Sequence, residues 1–312
     1  MAAITPAMIK ELREVTGSGM GDCKKALEAV EGDIKKAIDF LREKGLATAA
    51  KKAGRIAAEG LVQVLVKDDQ SEAVVVEVNS ETDFVAKNED FRTFVVNVAE
   101  QALASTTDDL DTFLAEKWAV DPSVSVKDAL AGKIATIGEN LNIRRFGRLK
   151  RQNPGMFASY IHGGGKIGVV LDVECAVQNE AVEEMGRNLC MQIAALFPKY
   201  VKAEDMSPDF IESERHIIIE QIKNDEKAAG KPDNVIEKMV DGRLKKQLKE
   251  VCLQDQEYVK DTDMTVKQYV ESVAKAIGAE IVLNAFVCFE KGEGIEKKEE
   301  DFAAEVSKAM QG

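Results

Sequence analysis

Along the first 45 positions, apolar residues recur at spacings of three and four. Thr5 followed by Pro6 gives a capping residue and then a proline at the first helical position. Met8, Ile9, Leu12 and Val15 follow on one face. Gly17 to Gly21 interrupts the pattern. A second helix is expected from about Asp22 to Val30. A third, capped by Asp33, carries Ile34, Ala37, Ile38 and Leu41, with Gly45 just past its end. Three short helices make a small bundle. The Ala/Lys stretch from Ala47 to Ala58 reads as a helical linker leaving it.

The pattern changes at Leu61. Leu61 to Val66 and Ala73 to Val78 are β-branched runs around Asp68-Asp69, a hairpin signal. A helix follows from Asn88 to Ala104, then a helical pair over Asp108 to Lys117 and Ser125 to Glu139. Met156 to His162, a Gly163-Gly164-Gly165 turn, and Ile167 to Val173 form a second hairpin, followed by a helix from Asn179 to Leu196. Phe210, Ile211, Ile217, Ile218 and Ile222, and after Gly230-Lys231-Pro232 a second set from Val235 to Val251, predict an antiparallel helical hairpin. Thr265 caps another helix ending at Gly278, and Ile281 to Phe289 supplies a third strand for the second sheet. Phe302, Val306 and Met310 predict a last amphipathic helix from Glu299 to Met310.

The order strand, turn, strand, helix occurs twice, which points to an internal repeat. Val74 to Val78 lies over Val169 to Val173. Phe91, Phe94, Val98 and Ala102 lie over Val182, Met185, Leu189 and Ile193 without a gap. Between strand and helix the copies differ. Residues 79–87 make nine between Val78 and Asn88, and residues 174–178 make five between Val173 and Asn179. The first copy thus carries four extra residues (nine minus five), and they fall in Thr82-Asp83-Phe84-Val85-Ala86-Lys87-Asn88. In one reading, Thr82 or Asp83 caps a helix and Phe84 is a staple packed inward. In the other, the extra residues present an acid and a ring to a partner. The second copy makes its turn without them, which favours presentation.

At 312 residues with 45% hydrophobic content, the chain has room for about two domains with real cores. A net charge of −13 argues against a general phosphate-backbone binder. The run Leu141 to Arg151 holds Arg144, Arg145, Arg148, Lys150 and Arg151 and reads as a solvated strand face. Five scattered cysteines with no C-x-x-C pair fit reduced thiols in a cytosol rather than a disulfide framework or a zinc site. No signal peptide is apparent, and the longest apolar run is too short to span a bilayer.

Little points to bond-making chemistry. Gly163-Gly164-Gly165-Lys166 fails the phosphate-loop pattern, with Tyr160 and Ile167 at the required glycine and hydroxyl positions. His162 and His216 are the only histidines, so metal and nucleophile constellations lack parts. His216 is expected half-buried among isoleucines. His162, beside glycines, is expected to be exposed as a contact. Two hypotheses stand: a binding protein that remodels a partner, or an enzyme using a carboxylate and His162.

Several motifs carry a resemblance. Thr82 to Asn88 resembles the core signature of the elongation factor Ts family, and so do Leu12-Arg13-Glu14, Thr16 to Met20, Asp22 to Leu27, Ile137-Gly138-Glu139-Asn140 and Gly292-Glu293-Gly294-Ile295-Glu296. Gly21 departs from the pattern, where a second bulky apolar residue is expected after Met20, as does Asn88, where Asp is expected.

The resemblance implies an α+β fold: a three-helix UBA-like bundle with linker (1–54), core subdomain N (55–140) and core subdomain C (141–208 and 257–295). An inserted coiled-coil hairpin (209–256) and a C-terminal helical module (296–312) complete it. It also implies a cytoplasmic guanine-nucleotide exchange factor for elongation factor Tu, with no cofactor, metal, nucleic acid or membrane, and allows for a homodimer or a 2:2 complex. Thr82, Asp83, Phe84 and Val85 match the segment that disturbs the partner's magnesium. Arg13, Met20, His162 and Gly163 match other partner contacts.

Overall fold

The structure, a computed structural model, describes residues 4–225 and 232–296. The expected helix from Glu299 to Met310 and the turn at Gly230 and Lys231 lie outside the described residues. The fold is α+β, with helices packed on antiparallel sheets. Three helices open it: α1 (Pro6–Thr16), α2 (Met20–Ala29) and α3 (Ile34–Lys52), closed around Leu12, Cys23, Ala26, Leu27, Ala37 and Leu41. Thr5 and Asp33 cap α1 and α3 as expected.

α3 does not stop before Gly45. It runs through the stretch that the composition suggested as a linker. Gly45 is a packing glycine: a Cβ there would sit 3.6 Å from the carbonyl of Ala131, on the facing helix α7 (Val126–Ile137). Arg42 pairs with Asp128 of α7 at 2.5 Å. The bundle is therefore held to the core along the second half of α3.

The core holds two three-stranded antiparallel sheets. β1 (Glu59–Val66), β2 (Glu72–Ser80) and β3 (Leu141–Lys150) make the first; β4 (Gly155–His162), β5 (Ile167–Cys175) and β8 (Ile281–Glu290) make the second. α5 (Glu89–Ala104) covers the outer face of the first sheet together with α6 (Leu110–Ala115) and α7. α8 (Glu180–Leu196) and α11 (Val266–Ile277) cover the second. Between the sheets Val62, Val64, Val75, Phe157 and Val170 meet. Each central strand is thus sandwiched, with Val76 and Val78 under α5 and Val75 toward the other sheet. Burial on both faces explains why β2 and β5 read as continuous valine-rich runs.

The basic run corrects two expectations. β3 pairs with β2 over its whole length, from Ser80↔Leu141 to Glu72↔Lys150, so residues 141–150 belong to the first sheet and not to the second subdomain. Its arginines are not a solvated face. Arg148, 3% exposed, bonds Glu72 at 2.5 Å and Asp108 at 2.8 Å. Arg144 and Arg145 reach the fully buried Glu77 at 3.0 and 2.6 Å.

The helical hairpin consists of α9 (Pro208–Lys223) and α10 (Asp233–Val251), packed through Ile218, Ile222, Val240 and Leu244. The chain enters and leaves it side by side, since Leu253 donates to the Tyr200 carbonyl at 2.8 Å. His216 is exposed on α9 rather than half-buried: its position turns away from the face that Ile218 and Ile222 bury. β6 (Glu257–Tyr258) and β7 (Asp261–Thr265) form a small ribbon before α11.

Candidate functional site

Three exposed places hold the residues singled out above. The first follows β2. Thr82 takes an extended conformation and caps α4 (Asp83–Ala86), a single turn, by accepting from the Val85 amide at 3.4 Å. Asn88 then caps α5, accepting from Phe91 at 3.3 Å. The capping half of the inward reading holds, and the staple half does not: Phe84 is 78% exposed. Val85 is half-buried against the first core and Ala86 is buried, so the far side of the turn is its anchor. Asp83 is exposed. A hydrogen bond from Lys87, at 2.7 Å, holds its carboxyl below the usual range. A surface pair of this kind contributes little and exchanges readily, so Asp83 is an ionised acid held by a displaceable partner.

The turn is tied down from a distance. The two oxygens of Glu139 accept from the Thr82 amide at 3.0 Å and the Thr82 hydroxyl at 2.6 Å. In return, Glu81 accepts from the Asn140 amide at 2.5 Å. The Asn140 side chain donates to the Arg55 carbonyl at 2.7 Å. Gly138, left-handed at φ 87°, ends α7 and turns the chain into this clasp. The Ile137–Asn140 motif had no structural role in the sequence reading, because partners 57 and 59 positions away leave no local periodicity.

The second place is the β4–β5 turn. His162 is exposed, and its Nδ1 lies 3.0 Å from the Tyr160 hydroxyl. That partner is not a carboxylate, and no acid–base pair involving His162 forms at this turn among the described residues. Gly163, Gly164 and Gly165 all have positive φ. At Gly165 the glycine is required twice over: φ is +106°, and a Cβ would sit 2.6 Å from Leu61 Cδ2. Its carbonyl accepts from Val62 of β1 at 2.8 Å. α4 also packs on β1. The structure therefore sets the Phe84 turn and the His162 turn against one strand.

The third place lies in the bundle, apart from that strand. Arg13 is exposed near the end of α1, and its carbonyl accepts the amide of the left-handed Gly17. Met20 opens α2 and is 62% exposed, as Val15 is at 63%. A Cβ on Gly21 would meet nothing within 4 Å, so the missing bulky residue leaves no gap in the core.

The described residues hold no group of three or more His, Cys, Asp or Glu placed to bind a metal ion. No described helix is long and apolar enough to cross a membrane. All five cysteines are free thiols.

Residues 81–293 match the family model described as Elongation factor TS. The chain is 51% identical over 310 residues to Elongation factor Ts of Clostridioides difficile strain 630, covering 99% of this chain and 100% of that protein. It is 48% identical over 308 residues to Elongation factor Ts of Clostridium tetani, with 99% and 100% covered. Full-length similarity at that level, on a chain whose signature turn is exposed and clasped as described, shows that this chain belongs to the elongation factor Ts family, whose role is in translation elongation.

Proposed function

We propose that the chain binds elongation factor Tu in its GDP state and promotes GDP release, so that GTP can rebind, without chemistry of its own. Thr82 to Val85 form the wedge: Asp83 competes electrostatically around the partner's magnesium, Phe84 pushes side chains aside, and Thr82 and Val85 anchor them. Arg13 and Met20 of the bundle, read as UBA-like, and His162 with Gly163 grip other parts of the partner. The α9–α10 hairpin is read as the coiled-coil module that permits a homodimer or 2:2 assembly, and the setting is cytoplasmic. The observation that carries the proposal is Phe84, a large ring left 78% exposed on a turn that Thr82, Val85 and Ala86 anchor.

The energetics suit several grips and one wedge. GTPases hold nucleotide through backbone amides and magnesium. A nanomolar complex corresponds to about −12 kcal/mol, and a thousandfold faster release needs about 4 kcal/mol off the barrier. One exposed turn cannot readily supply that alone. Coupling is reciprocal, so nucleotide must weaken the binding of this chain as much as the chain weakens the binding of nucleotide. The test is release of fluorescent GDP from elongation factor Tu at several free-magnesium concentrations. Accelerated release, by a factor that shrinks as magnesium is removed, is expected. Release at the intrinsic rate at every magnesium concentration would refute the proposal.

A further inference from the structure

We propose that Glu139 is a positioning residue for exchange: its carboxylate holds Thr82 so that Asp83 and Phe84 leave the core in one fixed direction. This rests on the wedge reading above. Glu139 is half-buried on the loop after α7 and has no place in the wedge itself.

The need for such a residue follows from the turn. A single four-residue helical turn has no stability of its own. Phe84 cannot be aimed by packing, because most of its surface is in solvent. Direction must therefore come from the peptide before it. Glu139 spends both oxygens on that peptide, one on the Thr82 amide and one on the hydroxyl. Two charge-assisted bonds to one residue fix rotation as well as position. The hydroxyl that donates to Glu139 also accepts the Val85 amide, so the α4 cap is set by the same carboxylate. On the other side, Ser80 Oγ donates to the Thr82 carbonyl at 3.0 Å.

The clasp is crossed. Glu81 takes the Asn140 amide while Glu139 takes the Thr82 amide, so two antiparallel segments lock each other beyond the last pair of the β2–β3 ladder, Ser80↔Leu141. It also reaches the bundle. Asn140 donates to the Arg55 carbonyl, the Arg55 guanidinium lies 3.6 Å from Glu81, and Lys52 at the end of α3 donates to the Gly138 carbonyl. The loop that aims the wedge is thus the loop on which the helix from the N-terminal bundle ends. Preorganisation of this kind reduces the ordering cost of docking and raises the share of encounters that reach the productive geometry.

The test compares wild type with Glu139→Ala, Glu139→Gln, Phe84→Ala and the Phe84→Ala/Glu139→Ala double variant in labelled-GDP release from elongation factor Tu. Affinity for nucleotide-free elongation factor Tu is measured alongside. Glu139→Ala is expected to lower the maximal release rate about tenfold while that affinity stays within about threefold, since the grips elsewhere are intact. Glu139→Gln keeps an oxygen for only one of the two donors and should fall between. The double variant should be no more than about twofold slower than Phe84→Ala alone, because Glu139 acts through the wedge. Thr82→Val removes the hydroxyl from the other side of the bond, should match Glu139→Gln, and serves if Glu139→Ala fails to fold. Multiplying defects in the double variant, or Glu139→Ala releasing at the wild-type rate while Phe84→Ala is slow, overturns the positioning role and leaves the wedge standing. Phe84→Ala at the wild-type rate overturns the wedge, and this inference with it.

Discussion

The two copies of the sheet-and-helix repeat share a framework and differ at two places. Gly60 and Gly155 stand 95 positions apart (155 − 60), as Val78 and Val173 do (173 − 78); a Cβ on either glycine would come within 2.2 Å of the carbonyl of the matching valine. Opposite Glu77/Val78 the edge strand β3 bulges, with Arg144 as its extra residue, and opposite Asp172/Val173 the edge strand β8 bulges in the same way, with Asn284 as its extra residue. Asn88 and Asn179 cap the following helices in the same way. Against that match, the first copy alone carries α4 in its link. It also surrounds its buried acid differently. Opposite Glu77 stand Arg144 and Arg145; opposite Asp172 stand Asn284 and Ala285.

The consequences for charge are opposite. Burial pulls the Glu77 carboxyl up, but the Gly292 amide, Asn79 and the two guanidinium groups outweigh it and the net shift is down. Burial likewise pulls Asp172 up, and one Asn284 amide does not compensate, so its net shift is up; its Oδ1 has no partner. Glu77 is the hub between sheets. Gly292, at φ +69° and with Ala58 O only 2.1 Å from a would-be Cβ, brings its amide to Glu77 at 2.7 Å, and Arg145 continues to Glu293 at 2.8 Å and over the Phe289 ring. The first copy holds the joint between the sheets and carries the exposed Phe84 turn; the second has the shorter link and a buried acid without a guanidinium partner.

Glu77→Gln should produce the largest loss of stability, about 3 kcal/mol. That is the low end for a broken buried pair, because its arginines keep 24% and 30% exposure. Chemical denaturation checks it, and a loss below about 1 kcal/mol would mean the hub carries no weight. Gly60→Ala and Gly155→Ala should each cost about 2 kcal/mol, from strained backbone and a carbonyl clash. Equal damage in the two copies supports a common framework, and damage confined to one breaks it.

Asp172→Asn should lie within about 1 kcal/mol of wild type at neutral pH, on the stabilising side, since it removes a buried charge with an unpartnered oxygen. The pH dependence separates the acids. A raised folded value means that Asp172 contributes stability below its ordinary 3.8 and loses it as pH rises through the folded value. A lowered value means that the contribution of Glu77 is present above its ordinary 4.5 and is lost as pH falls through the folded value. Denaturation midpoints from pH 3 to 7 should therefore flatten with opposite sign in Asp172→Asn and Glu77→Gln. A change of the same sign in both would contradict the contrast.

Much of this was legible in the chain. Valine runs, caps and the helix register across the copies all act locally, so α5, α8 and the hairpins stand close to where their patterns put them. The four extra residues fall where an exposed turn stands. Long-range pairing was not legible. Arg144, Arg145 and Arg148 looked like a solvated face because the acids that bury them stand 67 to 76 positions away. That same pairing draws 141–150 into the first sheet. Gly45 resembled a helix end because its packing against Ala131 is invisible to a pattern that reads neighbours only. The Glu139 clasp was hidden for the same reason, whereas the matching glycines at 60 and 155 are visible in the sequence itself.

The smallest stability effect is expected where the functional effect is largest. Phe84→Ala should change stability by no more than about 0.5 kcal/mol, as exposed substitutions do, and yet slow GDP release from elongation factor Tu tenfold or more, about 1.4 kcal/mol of barrier. Both quantities can be measured on one preparation, by thermal melting and by labelled-GDP release, with Asp172→Asn as the control from the second copy. An unchanged melt with slowed release is the predicted result. A large loss of stability, of the roughly 3–5 kcal/mol expected for a buried ring, or release at the wild-type rate, would contradict the account of the four extra residues as a presented wedge.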